Sequence, residues 1–206
     1  MVKHLLERSV AGDVSGAVTG QHAQPRIPGE LGIWMFVAGD LIVFSVFFIL
    51  IALGQEENGD LFRQSRAQLN LGIGLLNTLL LLTGSFLVAI GVERCRAGLS
   101  TTASRFFSLG IFCGIGFVVN KGLEWGAKFS HGITPATNEF YMYFFVFTGI
   151  HLLHLIVGIG VLFMLRSVSH NPEMNARRIR TLESGATFWH LVDLLWIILF
   201  TLFYLL

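Results

Sequence analysis

Five apolar runs, each twenty residues or longer, leave this chain little choice of architecture. They lie at about 31–53, 69–92, 106–125, 140–165 and 187–206. A helix rising about 1.5 Å per residue crosses a hydrocarbon core of about 30 Å in roughly twenty residues. Inside lipid, each backbone N–H and C=O needs a partner within the protein, so only helices and closed barrels span. Barrel strands alternate in polarity over about ten residues, and these runs do not. The expected fold class is therefore all-α: a five-helix transmembrane bundle. Of the residues, 53% are hydrophobic and 13% charged, about half the charged share of a soluble domain. That balance excludes a disordered chain.

Residues 1–30 read as a polar N-terminal cytoplasmic arm, and 31–206 as the membrane domain. No long apolar stretch lies near Met1, so no cleaved signal peptide is expected. Lys3, Arg8, Arg26, Arg94, Arg96, Arg105, Arg166, Arg177, Arg178 and Arg180 fall on one side of a five-span topology. Arg63, Arg66 and Lys128 fall on the other, and Lys121 lies within a span. Basic residues favour the cytoplasm, so the N-terminus is expected inside and the C-terminus outside. The net charge of +1 gives no footing for nucleic acid. Cys95 and Cys113 are too few for a disulfide framework or a Cys-based zinc site.

Small and amide residues mark expected helix contacts. Asn70, Asn77, Gly84 and Gly91 recur every seven residues in the second run. Gly110 with Gly114, and Gly122 with Gly126, form small-xxx-small pairs in the third. Such stripes let backbones approach closely and offer interhelical hydrogen bonds.

Ionisable residues within the runs are the functional candidates, because an Asp at mid-bilayer costs about 2.5–3.5 kcal/mol to insert. Asp40 is the most central carboxylate and has no Lys or Arg on its own helix. Lys121 and Glu124 share a helix face, which suits an ion pair or a lipid-headgroup contact. His151 and His154 share a face of the fourth run, and His190 and Asp193 a face of the fifth. Two imidazoles three residues apart point the same way and cannot ligate one haem from opposite sides. No metal or haem is expected on this chain. With Glu183, these four residues are expected to form a structural polar lattice between the fourth and fifth helices. Trp189 and Trp196, flanking Asp193, are read as packing residues.

The fourth run carries Thr148-Gly149-Ile150-His151-Leu152-Leu153-His154 and continues to Gly158. The fifth opens Glu183-Ser184-Gly185 and continues Trp189-His190-Leu191-Val192-Asp193-Leu194-Leu195-Trp196. Leu75-Leu76-Asn77-Thr78 and Glu124-Trp125 precede them. In order and spacing this set resembles subunit III of the haem-copper oxidases, over roughly residues 28–206. The resemblance implies a non-catalytic subunit of the short bacterial five-helix form. It implies haem and copper in partner subunits I and II, bound phospholipid, and a location in the bacterial cell membrane. It also implies that Asp40 stands where the family has a membrane glutamate, serving proton uptake or partner contact.

Three departures accompany the resemblance. Ala38-Gly39-Asp40 replaces the family's S-E, Lys121 stands where Gln is frequent, and Gly54-Gln55-Glu56-Glu57-Asn58-Gly59 replaces a Trp-Pro-Pro loop. They resemble the branch associated with nitric oxide reductases. The functions to be separated are a cytochrome c oxidase subunit, a nitric oxide reductase accessory protein, and a stand-alone proton-coupled transporter using Asp40, Glu124 and Asp193.

Overall fold

The structure, a computed structural model, describes residues 30–170 and 175–206. The expected arm, 1–30, lies outside the described residues except for Glu30. Six α-helices follow in order: α1 (Leu31–Glu57), α2 (Gly59–Ala67), α3 (Leu71–Arg96), α4 (Ser100–Ser130), α5 (Glu139–Ser169) and α6 (Ala176–Phe200). A π-helical turn, Thr201–Leu205, continues α6. All except α2 are long and apolar enough to cross a membrane. No strand occurs among the described residues.

Each spanning helix outruns its apolar run at one end or both. The fifth begins at Ala176 rather than Thr187, so the link from α5 is far shorter than the apolar limits suggest. Helical hydrogen bonding does not stop where lipid stops; polar turns continue it into the headgroup region. Asn70, Asn138 and Asn175 start three of these helices, each accepting a hydrogen bond from the backbone N–H three residues on. Gly98, at φ 76°, closes the tight α3–α4 turn in a conformation that side chains resist.

α3, α4, α5 and α6 pack as a ring, each against the next and α6 back against α3. α1 leans on α5 and α6 from outside. Only 11% of its apolar window is buried within the chain, against 61% for α6. α2 folds over one end of the bundle. Its Phe62 is buried and meets Phe140 edge-on at 5.4 Å, and Asn58 Nδ2 donates to Glu139 Oε2 at 3.0 Å.

Small residues set the ring's tightness. The Trp189 indole lies against Gly84, Gly114 and Gly158, one from each of the other three ring helices. A Cβ at Gly114 would stand 3.0 Å from Trp189 Cη2, and one at Gly158 would stand 3.2 Å from Cε3. Gly91 makes room for Phe107 in the same manner. Asn70 departs from its expected stripe role, because it caps α3. Gly122 and Gly126 depart too: a Cβ on either would meet nothing within 4 Å. They lie on the outer face of α4, since the helix turns about 100° per residue and its packed edge here belongs to Lys121 and Glu124.

Candidate functional site

The polar side chains inside the membrane depth collect in separate clusters. The first joins α1 to α5. Asp40 Oδ1 lies 3.3 Å from His154 Nε2, with both side chains mostly buried. His154 Nδ1 lies 2.8 Å from the Ile150 carbonyl. A carbonyl only accepts, so Nδ1 carries the hydrogen and Nε2 turns its lone pair toward Asp40. A proton between the two can sit on the carboxyl, facing imidazole, or on the imidazole, facing carboxylate. The pair is neutral overall in both forms, which makes its burial tolerable. Asp40 therefore has a counter-group after all, supplied by another helix. Asp40 Oδ2 is buried without a hydrogen-bond partner.

The second cluster lies inside the ring. Lys121 Nζ donates to Glu124 Oε2 at 2.8 Å and to Tyr204 Oη at 3.1 Å, while Tyr204 Oη donates to Glu124 Oε1 at 2.6 Å. Nζ also lies 4.5 Å from the Phe144 ring centroid and 5.0 Å from that of Trp196, where the aromatic faces attract a cation. Lys121 and Glu124 are 0% and 3% exposed. The expected alternative of a lipid-headgroup contact is thereby corrected: enclosed by α5 and α6, the pair is out of a headgroup's reach. Nearby, Asn120 Nδ2 donates to Asn77 Oδ1 at 3.1 Å.

The expected lattice between α5 and α6 is corrected as well. Among the described residues His151 bridges those two helices, with Nε2 donating to the Val192 carbonyl at 3.0 Å, while others of the five turn to α1 or α3. His154 turns to α1. Three residues advance a helix by about 300°, leaving side chains about 60° apart, enough to divide them between two neighbours. Glu183 accepts from Arg96 of α3. His190 Nδ1 lies 2.6 Å from Ser85 Oγ, also of α3. Asp193 Oδ1 is buried without a hydrogen-bond partner.

Ser85, Asn120 and Tyr204 are polar partners that the sequence alone did not single out. Each became significant only through a neighbour on another helix. Arg66 on α2 belongs with them. It donates to Gln55 Oε1 at 3.3 Å and to the Leu202 carbonyl at 3.4 Å. Burial holds its guanidinium below the usual value by desolvation.

A groove of about 330 Å³ separates α1 from α5 and α6 near the start of α1. Ile33, Phe36, Val157, Met164 and Phe188 give it apolar walls, and Glu30 and Ser184 form its polar end. Among the described residues, no three His, Cys, Asp or Glu side chains converge as metal ligands.

Comparison with known proteins places these clusters in context. The family profile described as "Cytochrome c oxidase subunit III" matches residues 6–206. The chain is 26% identical over 199 residues to "Probable cytochrome c oxidase subunit 3" of Mycobacterium leprae (strain TN), covering 95% of this chain and 98% of that one. It is 28% identical over 180 residues to "Quinol oxidase subunit 3" of Bacillus subtilis (strain 168), covering 85% of each. It is 28% identical over 196 residues to "Cytochrome c oxidase subunit 3" of Thermostichus vulcanus, covering 92% of each.

Proposed function

The chain belongs to the cytochrome c oxidase subunit III family, as a multi-pass subunit of a haem-copper oxidase in the bacterial inner membrane, and from that premise we propose that its work there is non-catalytic. It stabilises the catalytic subunit, holds phospholipid and supports proton uptake. Haem and copper reside in partner subunits I and II. Membership of this family replaces the stand-alone transporter reading.

The observation that carries the proton-uptake role is the Asp40–His154 pair. A proton held by this pair can move between carboxyl and imidazole without changing the net charge, and its release leaves a single negative charge beside His154 until another proton arrives. Asp40 is about 14 Å along α1 from Leu31 at 1.5 Å per residue. With the N-terminus cytoplasmic, as the Lys and Arg bias favours, that depth lies in the cytoplasmic half, from which an oxidase draws its protons. The groove beside the start of α1 supports the lipid role. Its apolar walls suit an acyl chain and its polar end a headgroup.

A second reading gives the chain a nitric oxide reductase as partner. It is favoured by Asp40 in place of Glu and by the Gly54–Gly59 segment. Purification in mild detergent tests both readings. A haem-bearing partner that turns over oxygen supports the first; one that turns over nitric oxide supports the second. Recovery of the chain alone, with no haem-bearing partner, overturns both. Within the assembled complex, unchanged proton uptake by Asp40→Asn would remove the proton-uptake role.

A further inference from the structure

The end of the bundle opposite the α1–α5–α6 groove holds another cavity, of about 320 Å³, between α2, the start of α3 and the π-helical turn after α6. Arg63 and Arg66 line it from α2, Leu69 and Leu71 from the entry to α3, and Tyr204 from the turn. The two arginines stand three apart and so share a face of α2. Another face of α2 anchors it. Phe62 and Ser65 are buried, and Ser65 Oγ accepts from Asn138 Nδ2 at 3.0 Å. The two cations therefore stand on a fixed support.

Their charge is not balanced from within the chain. Arg66 is partly buried, and it donates only to neutral acceptors, Gln55 Oε1 and the Leu202 carbonyl. Its Nε is buried without a hydrogen-bond partner. Among the described residues no carboxylate pairs with it. Arg63 meets Asp60 at 3.4 Å, but the two side chains are 78% and 87% exposed, where a pair contributes little. Glu124, behind Tyr204, is already neutralised by Lys121. A guanidinium drawn out of water without a counter-ion is costly. Its planar fork suits the oxygens of a phosphate.

Position narrows the ligand further. Leu71 opens the Leu71–Arg96 span and is 49% exposed, so the cavity lies at the lipid–water boundary. Lys and Arg are scarce on this side of a five-span topology: Arg63, Arg66 and Lys128, against ten on the other. Two of those three line this one cavity.

We propose that the cavity binds a phosphate group on Arg66 and Arg63, with Leu69, Leu71 and the Tyr204 ring beside the apolar part of the molecule that bears it. A phospholipid headgroup and free phosphate share this chemistry; the apolar walls and the boundary position favour the headgroup. The site is separate from the α1–α5–α6 groove and from the Asp40–His154 pair. It holds whichever oxidase the chain serves.

Photolabelling tests it, using the full chain with the partners that purify with it. The sample is placed in phosphatidylcholine vesicles containing phosphatidylglycerol with a diazirine near its glycerol. A phosphate-free glucosyl diacylglycerol with the same label is the control. Adducts within residues 59–71 or 201–206, at least fivefold more from the phosphatidylglycerol, are expected. Equal labelling by both lipids overturns the phosphate site. So does the absence of adducts at these residues, the result if a partner's carboxylate already fills the cavity. Arg66→Gln should lower the yield at least fivefold. Arg63→Gln, which leaves the anchors of α2 untouched, should lower it at least twofold. No effect of Arg63→Gln overturns the two-cation site, even if Arg66→Gln releases α2. Adducts abolished by millimolar inorganic phosphate show that the cavity takes free phosphate; adducts that resist it assign the site to the headgroup. The labelling reads the same whether or not a haem-bearing subunit co-purifies, so its failure is distinct from failure of the family-level reading.

Discussion

Lys121 and Glu124 form an ion pair sealed inside the α3–α6 ring, at 2.8 Å, with Tyr204 completing a triangle. Removing one member of a buried pair strands the other charge, at about 3–5 kcal/mol, whereas replacing both is often neutral. Lys121→Met is therefore expected to lower the thermal midpoint of the purified complex sharply. Lys121→Met combined with Glu124→Gln is expected to recover most of the loss. Thermal melts of the three variants against wild type check this; an additive double variant would contradict it.

Gly74 and Gly122 predict opposite responses to one methyl group. A Cβ at Gly74 would stand 2.8 Å from Tyr204 Cδ1 and 2.9 Å from Phe200 Cε2, whereas Gly122 faces open space. Gly74→Ala should cost about 1–3 kcal/mol by forcing two rings aside. Gly122→Ala should be neutral or gain up to about 1 kcal/mol from helix propensity. Urea or thermal unfolding of the two variants decides between them.

His151 is wholly buried, and its Nε2 hydrogen bond ties α5 to α6. His151→Leu should lower the yield of assembled complex severalfold while leaving turnover per haem within about twofold, a loss of about 1–3 kcal/mol in packing and hydrogen bonding. Haem content and oxygen consumption of the same preparation measure both. Intact assembly with collapsed turnover would give His151 a place in proton transfer instead.

Asp40→Asn should keep the subunit assembled, because the amide matches the carboxyl in shape. Proton uptake by the complex should fall, or inactivation over many turnovers should quicken. His154→Leu should do the same, and the double variant should be little worse than either single one, because the two residues serve as a unit. Stopped-flow proton uptake and progress curves read this out. Wild-type behaviour of both single variants would reduce the pair to a structural link.

The number of spans was legible because apolar length is a property of each segment alone. The helix ends were not, because Arg177, Arg178, Arg180 and Glu183 depress the apolar signal without interrupting the helix. α2 escaped notice for a related reason: its anchoring rests on Phe62 and Ser65, too few residues to mark a short polar segment. Lys121 with Glu124 could be read from their spacing, since both sit on one helix. Asp40 with His154, Glu183 with Arg96 and His190 with Ser85 could not. Those pairings depend on how far each helix is rotated and how deeply it sits, and both are decided by the glycines around Trp189 and by the packing of large rings.

The peripheral seat of α1 bears on how the protein is made. α1 is synthesised first and is the most apolar of the five spans. Its carboxyl meets His154 only after α5 has emerged from the ribosome. Until then Asp40 enters the bilayer without its imidazole, at the insertion cost of an unpartnered Asp, about 2.5–3.5 kcal/mol at the helix centre. The surplus hydrophobicity of α1 offsets that cost during translocon release. Trimming a few of its lipid-facing residues, such as Ile42 or Ile49, would therefore be felt in biogenesis before it was felt in the finished complex.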